Sequence, residues 1–240
     1  MIDIYRQALR HYWSALPALV AFSLMVSALD LFASSSGATT GTMVGQLFIL
    51  YYFHRVCLFN EPVLAFGRPG PEAPPMKFGG FMMISLALIV VPVAIALFLA
   101  VSARAGEEIG DEVLVSMALY TAPLYLISLS MFGTALPASV ARPGNFQMSK
   151  GIKVAFGTMW RLILGPGVVF VVGFGILIAA NYLLRDLPAY QSTAGQLVFL
   201  TLATLLGFLP SMLGVVVLCH MYHLIMGTDI QNPAPAETFS

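Results

Sequence analysis

The stretch GGFMMISLALIVVPVAIALFLAVS, from Gly79 to Ser102, decides the fold. It is an unbroken apolar run long enough to cross a hydrocarbon core about 30 Å thick, which takes roughly 20 helical residues. Only a structure that satisfies its own backbone hydrogen bonds survives in that medium, so the run reads as a transmembrane helix. Its continuity separates it from the alternating segments of about ten residues that build an outer-membrane barrel.

Outward from this segment, five further runs have the same character: Trp13 to Ala33, Met43 to Phe59, Val113 to Ala135, Leu162 to Leu184 and Gln196 to Met226. The expected fold is all-α, an integral membrane bundle of six transmembrane helices in a single domain, closed by a tail over 227–240. Composition agrees. Of 240 residues, 59% are hydrophobic and 9% charged, with mean hydropathy +0.88, whereas charged side chains supply about a quarter of a soluble domain. A water-facing surface cannot be covered. The 11 basic and 11 acidic residues cancel, which leaves neither the footprint of a nucleic-acid binder nor the acidic character of a disordered chain. The two cysteines, Cys57 and Cys219, fall inside apolar segments and make no disulfide framework.

The connections read as loops on composition: Ser34 to Gly37, the acidic stretch Glu107, Glu108, Asp111 and Glu112, and Arg185 to Pro188. Between Glu61 and Lys77, Pro62, Pro69, Pro71, Pro74 and Pro75 remove backbone donors and forbid a continuous helix. The other long connection, Pro137 to Arg161, passes Arg142-Pro143-Gly144 and then turns amphipathic. With six spans, Arg6, Arg10, Arg55, Arg68, Lys77, Arg142, Lys150, Lys153 and Arg161 fall on one side, against Arg104 and Arg185 on the other. The positive-inside rule then puts both termini and both long loops in the cytoplasm. Reading the first run as a secretory signal instead would suit Arg6 and Arg10 before an apolar stretch. Asp3, Pro17 and the run's length favour a retained helix.

Two segments carry the pattern of interfacial helices. In residues 1–12 and the Trp13 that follows, Ile2, Ile4, Tyr5, Ala8, Leu9, Tyr12 and Trp13 recur at near-helical spacing, and Asp3, Arg6, Gln7 and Arg10 fill the other face. In residues 148–161, Ile152, Phe156, Met159 and Trp160 are apolar, with Lys150, Lys153 and Arg161 basic. Trp13 and Trp160, the only tryptophans, stand where these segments enter spans, as suits a ring at headgroup depth. Anchoring to the bilayer is one reading; docking of a partner or of anionic lipid is the other. A faint repeat relates Arg68-Pro69-Gly70 to Arg142-Pro143-Gly144, each after an even-numbered span, as parallel-repeat transporters would have it.

Few polar residues interrupt the spans. Asp30 lies near the outer end of the first, either as a proton-coupling acid or as a carboxylate reaching water one turn away. Gln46 and Asn181 near span ends suit interhelical hydrogen bonds. His54 and Cys57 stand at i, i+3 on the second span, and Cys219 and His223 at i, i+4 on the sixth with His220 between them. Two nitrogens and two sulfurs at one depth suit zinc, copper or another soft metal if the helices touch, and the histidines suit a haem. The alternative makes His54, Arg55, His220, Tyr222 and His223 interfacial residues facing headgroups, with the cysteines as small packing residues. Thr204, Gly207, Ser211 and Gly214 form a small-residue seam on the sixth span, where another helix can come close. Pro92, Pro123, Gly165-Pro166-Gly167 and Pro210 are expected to kink or open their helices. The sequence contains no H-E-x-x-H, G-x-S-x-G, Walker or G-x-G-x-x-G motif.

The segment Gly133-Thr134-Ala135-Leu136-Pro137-Ala138-Ser139-Val140-Ala141, the basic amphipathic stretch ending Trp160-Arg161, and the close Tyr222-His223-Leu224-Ile225-Met226-Gly227 together resemble polytopic proteins of bacterial inner membranes. These are the YciC-type proteins and the membrane domain fused to some glycerophosphodiester phosphodiesterases. The resemblance covers about the last hundred residues and implies a six-helix domain without an established catalytic role. Nothing in this chain corresponds to the soluble phosphodiesterase domain. The expected function is a non-enzymatic scaffold, assembly or regulatory component of the cell envelope, with the lipid bilayer and another membrane protein as partners. Two alternatives stand beside it: a small-solute transporter or channel, and a metal- or haem-binding membrane protein.

Overall fold

The structure is a computed structural model that describes residues 1–32, 36–61, 74–103, 111–141 and 146–227. Arg68-Pro69-Gly70, Arg142-Pro143-Gly144, Arg104, Glu107, Glu108 and the tail from 228 lie outside the described residues. All regular structure among the described residues is helical: α1 (Ile2–Phe32), α2 (Ser36–Phe59), α3 (Phe78–Ala103), α4 (Asp111–Phe132), α5 (Ala135–Ala141), α6 (Met148–Lys153), α7 (Ala155–Leu162), a π-helical turn (Ile163–Gly167), α8 (Val168–Leu184), α9 (Pro188–Gln191) and α10 (Thr193–Met226). Among the described residues, six helical stretches are long and apolar enough to cross a membrane: Ile2–Phe32, Gly41–Phe59, Phe78–Ala103, Val115–Phe132, Ala155–Leu184 and Thr193–Met226.

One boundary differs from the sequence expectation. Segment 1–12 and the first span form one uninterrupted helix. Pro17 lies on its exposed side, so the missing N–H deprives no buried carbonyl of a donor. Pro92, Pro123 and Pro210 also lie within continuous α-helices. The fifth span, by contrast, departs from α-helix at Gly165-Pro166-Gly167, as its composition suggests. There the helix widens to π geometry, the usual way to absorb a residue that cannot complete the i→i−4 ladder.

The chain divides into two compact units, Met1–Pro75 with Arg161–Val217, and Met76–Trp160 with Leu218–Ser240. In the first unit, α1 buries Ile4, Ala8, His11, Ala15, Leu19, Ser23 and Ser27 at spacings of three and four, one stripe of a helix. Much of that stripe is small, which lets neighbours approach closely. Phe22 shows the result. A Cβ on Gly45 of α2 would stand 2.8 Å from the Phe22 ring, and the same ring meets Phe208 of α10 edge-on at 5.9 Å. The Tyr12 hydroxyl donates to the Leu205 carbonyl at 2.9 Å, and the Tyr5 hydroxyl to the Leu164 carbonyl at 2.5 Å.

The second unit is built on the packed pair α3 and α4, with α5 against α3 and α6 against α4. α3 buries Phe81, Ser85, Leu88, Pro92, Ala96 and Ala100, again at spacings of three and four. Gly151 of α6 is buried where a Cβ would lie 2.6 Å from Thr134 Oγ1 and 3.0 Å from the Met131 carbonyl oxygen. Only glycine admits that approach without a shift. Phe146 and Tyr222 stack obliquely at 6.1 Å.

Candidate functional site

The densest polar chemistry lies at the end of α2. Asn60 follows the helix with φ 50°, in the left-handed region that asparagine tolerates and that commonly stops a helix. The chain thereby turns back, and Glu61 meets Arg55. The Arg55 Nε–H donates to Glu61 Oε2 at 2.8 Å and Nη2 donates to Oε1 at 2.6 Å, a bidentate fork. Nη1 donates to the Pro74 carbonyl at 3.0 Å, and the guanidinium lies 5.4 Å from the centre of the Phe59 ring. One side chain therefore ties together both ends of the 62–73 connection. The pair is sealed from solvent: its side chains are 0% and 2% exposed.

This corrects the reading of Arg55 as an interfacial cation facing headgroups. His54 and Tyr222 are buried as well, while His220 and His223 are half-buried. The reason is that Arg55 has its counter-ion inside the protein. A buried guanidinium without one would be prohibitively costly, whereas a forked pair with its remaining donor on a carbonyl is tolerated. Asn60 followed by Pro62 was a legible stop signal in the sequence. Glu61 as the partner was not, because it reads as the first residue of a loop.

The metal-ligand expectation places His54 and Cys57 on α2 and Cys219, His220 and His223 on α10. His54 Nδ1 lies 2.8 Å from the Leu50 carbonyl of its own helix. Cys57 is half-buried and Cys219 buried, and neither is in a disulfide. The His223 ring packs edge-on against Tyr222 at 5.6 Å. Among the described residues, no group of three or more His, Cys, Asp or Glu side chains stands together as a metal site.

Asp30 and Gln46 are exposed. Asn181 Oδ1 accepts the Tyr190 hydroxyl at 2.5 Å, linking α8 to α9, and Tyr190 in turn meets the Phe199 ring at 5.3 Å. Trp13 and Trp160 are both exposed, as are Arg6, Arg10 and Lys153; Lys150 and Arg161 are half-buried. On α10, the seam residues Thr204 and Ser211 donate their hydroxyls to their own helix, to the Leu200 carbonyl at 2.9 Å and the Gly207 carbonyl at 3.0 Å. Among the described residues, nothing beyond the adjacent backbone of α10 lies within 4 Å of where a Cβ on Gly207 or Gly214 would stand. None of the residues of α8 is buried. The small-residue stripe of α1, closed by its neighbours, carries a signal the sequence reading passed over: Ala8, Ala15, Ser23 and Ser27 recur at helical spacing just as the α10 seam does.

Comparison with protein-family models, curated proteins and solved structures finds no match to this chain.

Proposed function

We propose that the protein is a non-enzymatic scaffold of the bacterial inner membrane, with six membrane-crossing helices and both termini cytoplasmic, which receives a transmembrane helix of another membrane protein on the α10 seam. One observation carries this reading. The Thr204, Gly207, Ser211 and Gly214 stripe has its hydroxyls bonded within the helix and open space over its two glycines. In lipid, helices associate through close packing, and a stripe without side-chain bulk or unpaired polar groups is the surface that rewards it. The α1 stripe shows how closely neighbours cover a small-residue face once it is filled, with Ala8 and Ala15 fully enclosed. The likeness of residues 133–141 to polytopic domains without an established catalytic role supports the non-enzymatic part of the reading.

Cross-linking in native membranes tests it. With Cys57 and Cys219 replaced by serine, a cysteine at Gly207 or Gly214 should give a discrete protein adduct with a short bismaleimide. Cysteines at the exposed neighbours Leu202 and Leu206 should give much less. Equal, diffuse reaction at all four positions would mean that lipid covers the seam. The orientation has its own check: cysteines at residues 70 and 144 should be labelled from the same, cytoplasmic, side. Labelling from opposite sides would end the six-span topology.

A further inference from the structure

α6 and α7 make an elbow at Val154, where the backbone leaves helical geometry at φ −102°, ψ 4°. The inner side of the elbow is committed to protein. Gly151 is pressed on Thr134 and Met131, and Thr158 is buried with its hydroxyl donating to the Val154 carbonyl at 3.0 Å. The outer side is the reverse. Met148, Ile152, Phe156 and Trp160, four residues apart, are all exposed, Phe156 by 77% and Trp160 by 55%. Lys150 and Lys153 flank this stripe, and the sequence from Val113 to Arg185 contains no Asp or Glu that could pair with them.

The depth of the elbow follows from length. The apolar stretch Ala155–Leu184 has 30 residues and rises about 45 Å as helix, so a core of about 30 Å leaves roughly ten residues outside it. The uncharged part of the run begins at Leu162, after Arg161, so the excess falls at the Ala155 end and includes Phe156 and Trp160, which sets the stripe in the headgroup zone. An apolar stripe bordered by lysines with no acidic partner among the described residues has, at that depth, the chemistry that suits an anionic lipid surface.

We propose that the outer face of α6 and α7 is a binding site for anionic phospholipid: the four apolar side chains enter the boundary of headgroups and acyl chains, and Lys150 and Lys153 engage lipid phosphates. This rests on the membrane-spanning reading above, and the following experiment separates the two. The full-length Trp13→Phe variant leaves Trp160 as the sole tryptophan. It is reconstituted into phosphatidylcholine vesicles containing either brominated phosphatidylcholine or brominated phosphatidylglycerol, and fluorescence quenching is compared at low salt. Phosphatidylglycerol should quench Trp160 with a clear excess association constant, and Lys150→Gln with Lys153→Gln should lower that excess by about fivefold for each charge removed. Added salt should shrink the excess in the wild type and leave the double variant unchanged. Equal quenching by both lipids overturns the anionic site while leaving insertion intact. Trp160 left unquenched in protein that floats with the vesicles shows a protein covering the stripe and also overturns it. Protein that does not float with vesicles removes the membrane-spanning reading itself, and the site with it.

Discussion

Arg55 and the Lys150–Lys153 pair are equivalent in a charge count, since both fall on the same cationic side of the topology expected from the sequence. Their surroundings are opposite. Arg55 is sealed in the protein with Glu61 forked against it and the Pro74 carbonyl on its third nitrogen. Lys153 is exposed and Lys150 half-buried, on an element whose attachment depends on a glycine and not on charge. The difference teaches that a topology rule reads which side a cation is on and says nothing of what solvates it. One cation closes a connection from within; the others are left for something outside the chain.

Removing one member of the Arg55–Glu61 pair gives the sharpest test of that contrast. Glu61→Ala leaves a guanidinium buried without its counter-ion, which should lower stability by about 3–5 kcal/mol. It would be measured as a large fall in the thermal midpoint of the detergent-solubilised protein. Arg55→Met combined with Glu61→Met should recover most of the loss, because two apolar side chains of similar bulk remove the desolvation cost along with the attraction. If Glu61→Ala is as stable as the wild type, Arg55 is not sealed and the contrast with the lysines disappears.

How much of this was legible in the sequence depends on the range of the physics. The six long helices follow from composition and run length, which are local, and so does the break at Gly165-Pro166-Gly167. The exposure of Trp13 and Trp160 also follows their amphipathic spacing. The Arg55–Glu61 contact was not legible, although only six residues separate the pair, because it needs the left-handed turn at Asn60 to reverse the chain. Exposed and enclosed small-residue stripes look alike in a sequence as well. The α1 and α10 stripes have the same period, and only the coordinates tell that Ala8 is enclosed while Gly207 is open.

On the elbow, the effect of comparable origin should come from shape. Gly151→Ala places a Cβ 2.6 Å from Thr134 Oγ1, so the α6 attachment must shift, at a cost of about 1–3 kcal/mol. Gly151→Ala together with Thr134→Ala should relieve part of it by removing the clashing hydroxyl; the Met131 carbonyl at 3.0 Å would remain. Thermal midpoints of the two variants measured side by side provide the check. No loss in the single variant would mean that α6 is not held through Gly151.

The smallest effect should come from the residues with the most conspicuous charge. Lys150→Gln with Lys153→Gln removes two cations from a stretch that has no carboxylate between Val113 and Arg185, so no ion pair with a neighbouring acid is broken. Glutamine keeps the half of the lysine stem nearest the backbone, and neither lysine is buried, so packing along the elbow is little altered. Substitution at such positions normally stays within about 0.5 kcal/mol, and the thermal midpoint in uncharged detergent should be unchanged. In anionic vesicles the same variant should lose the lipid preference reported by Trp160. A stability loss in uncharged detergent approaching that of Glu61→Ala would show that these lysines, like Arg55, have their counter-charge inside the protein.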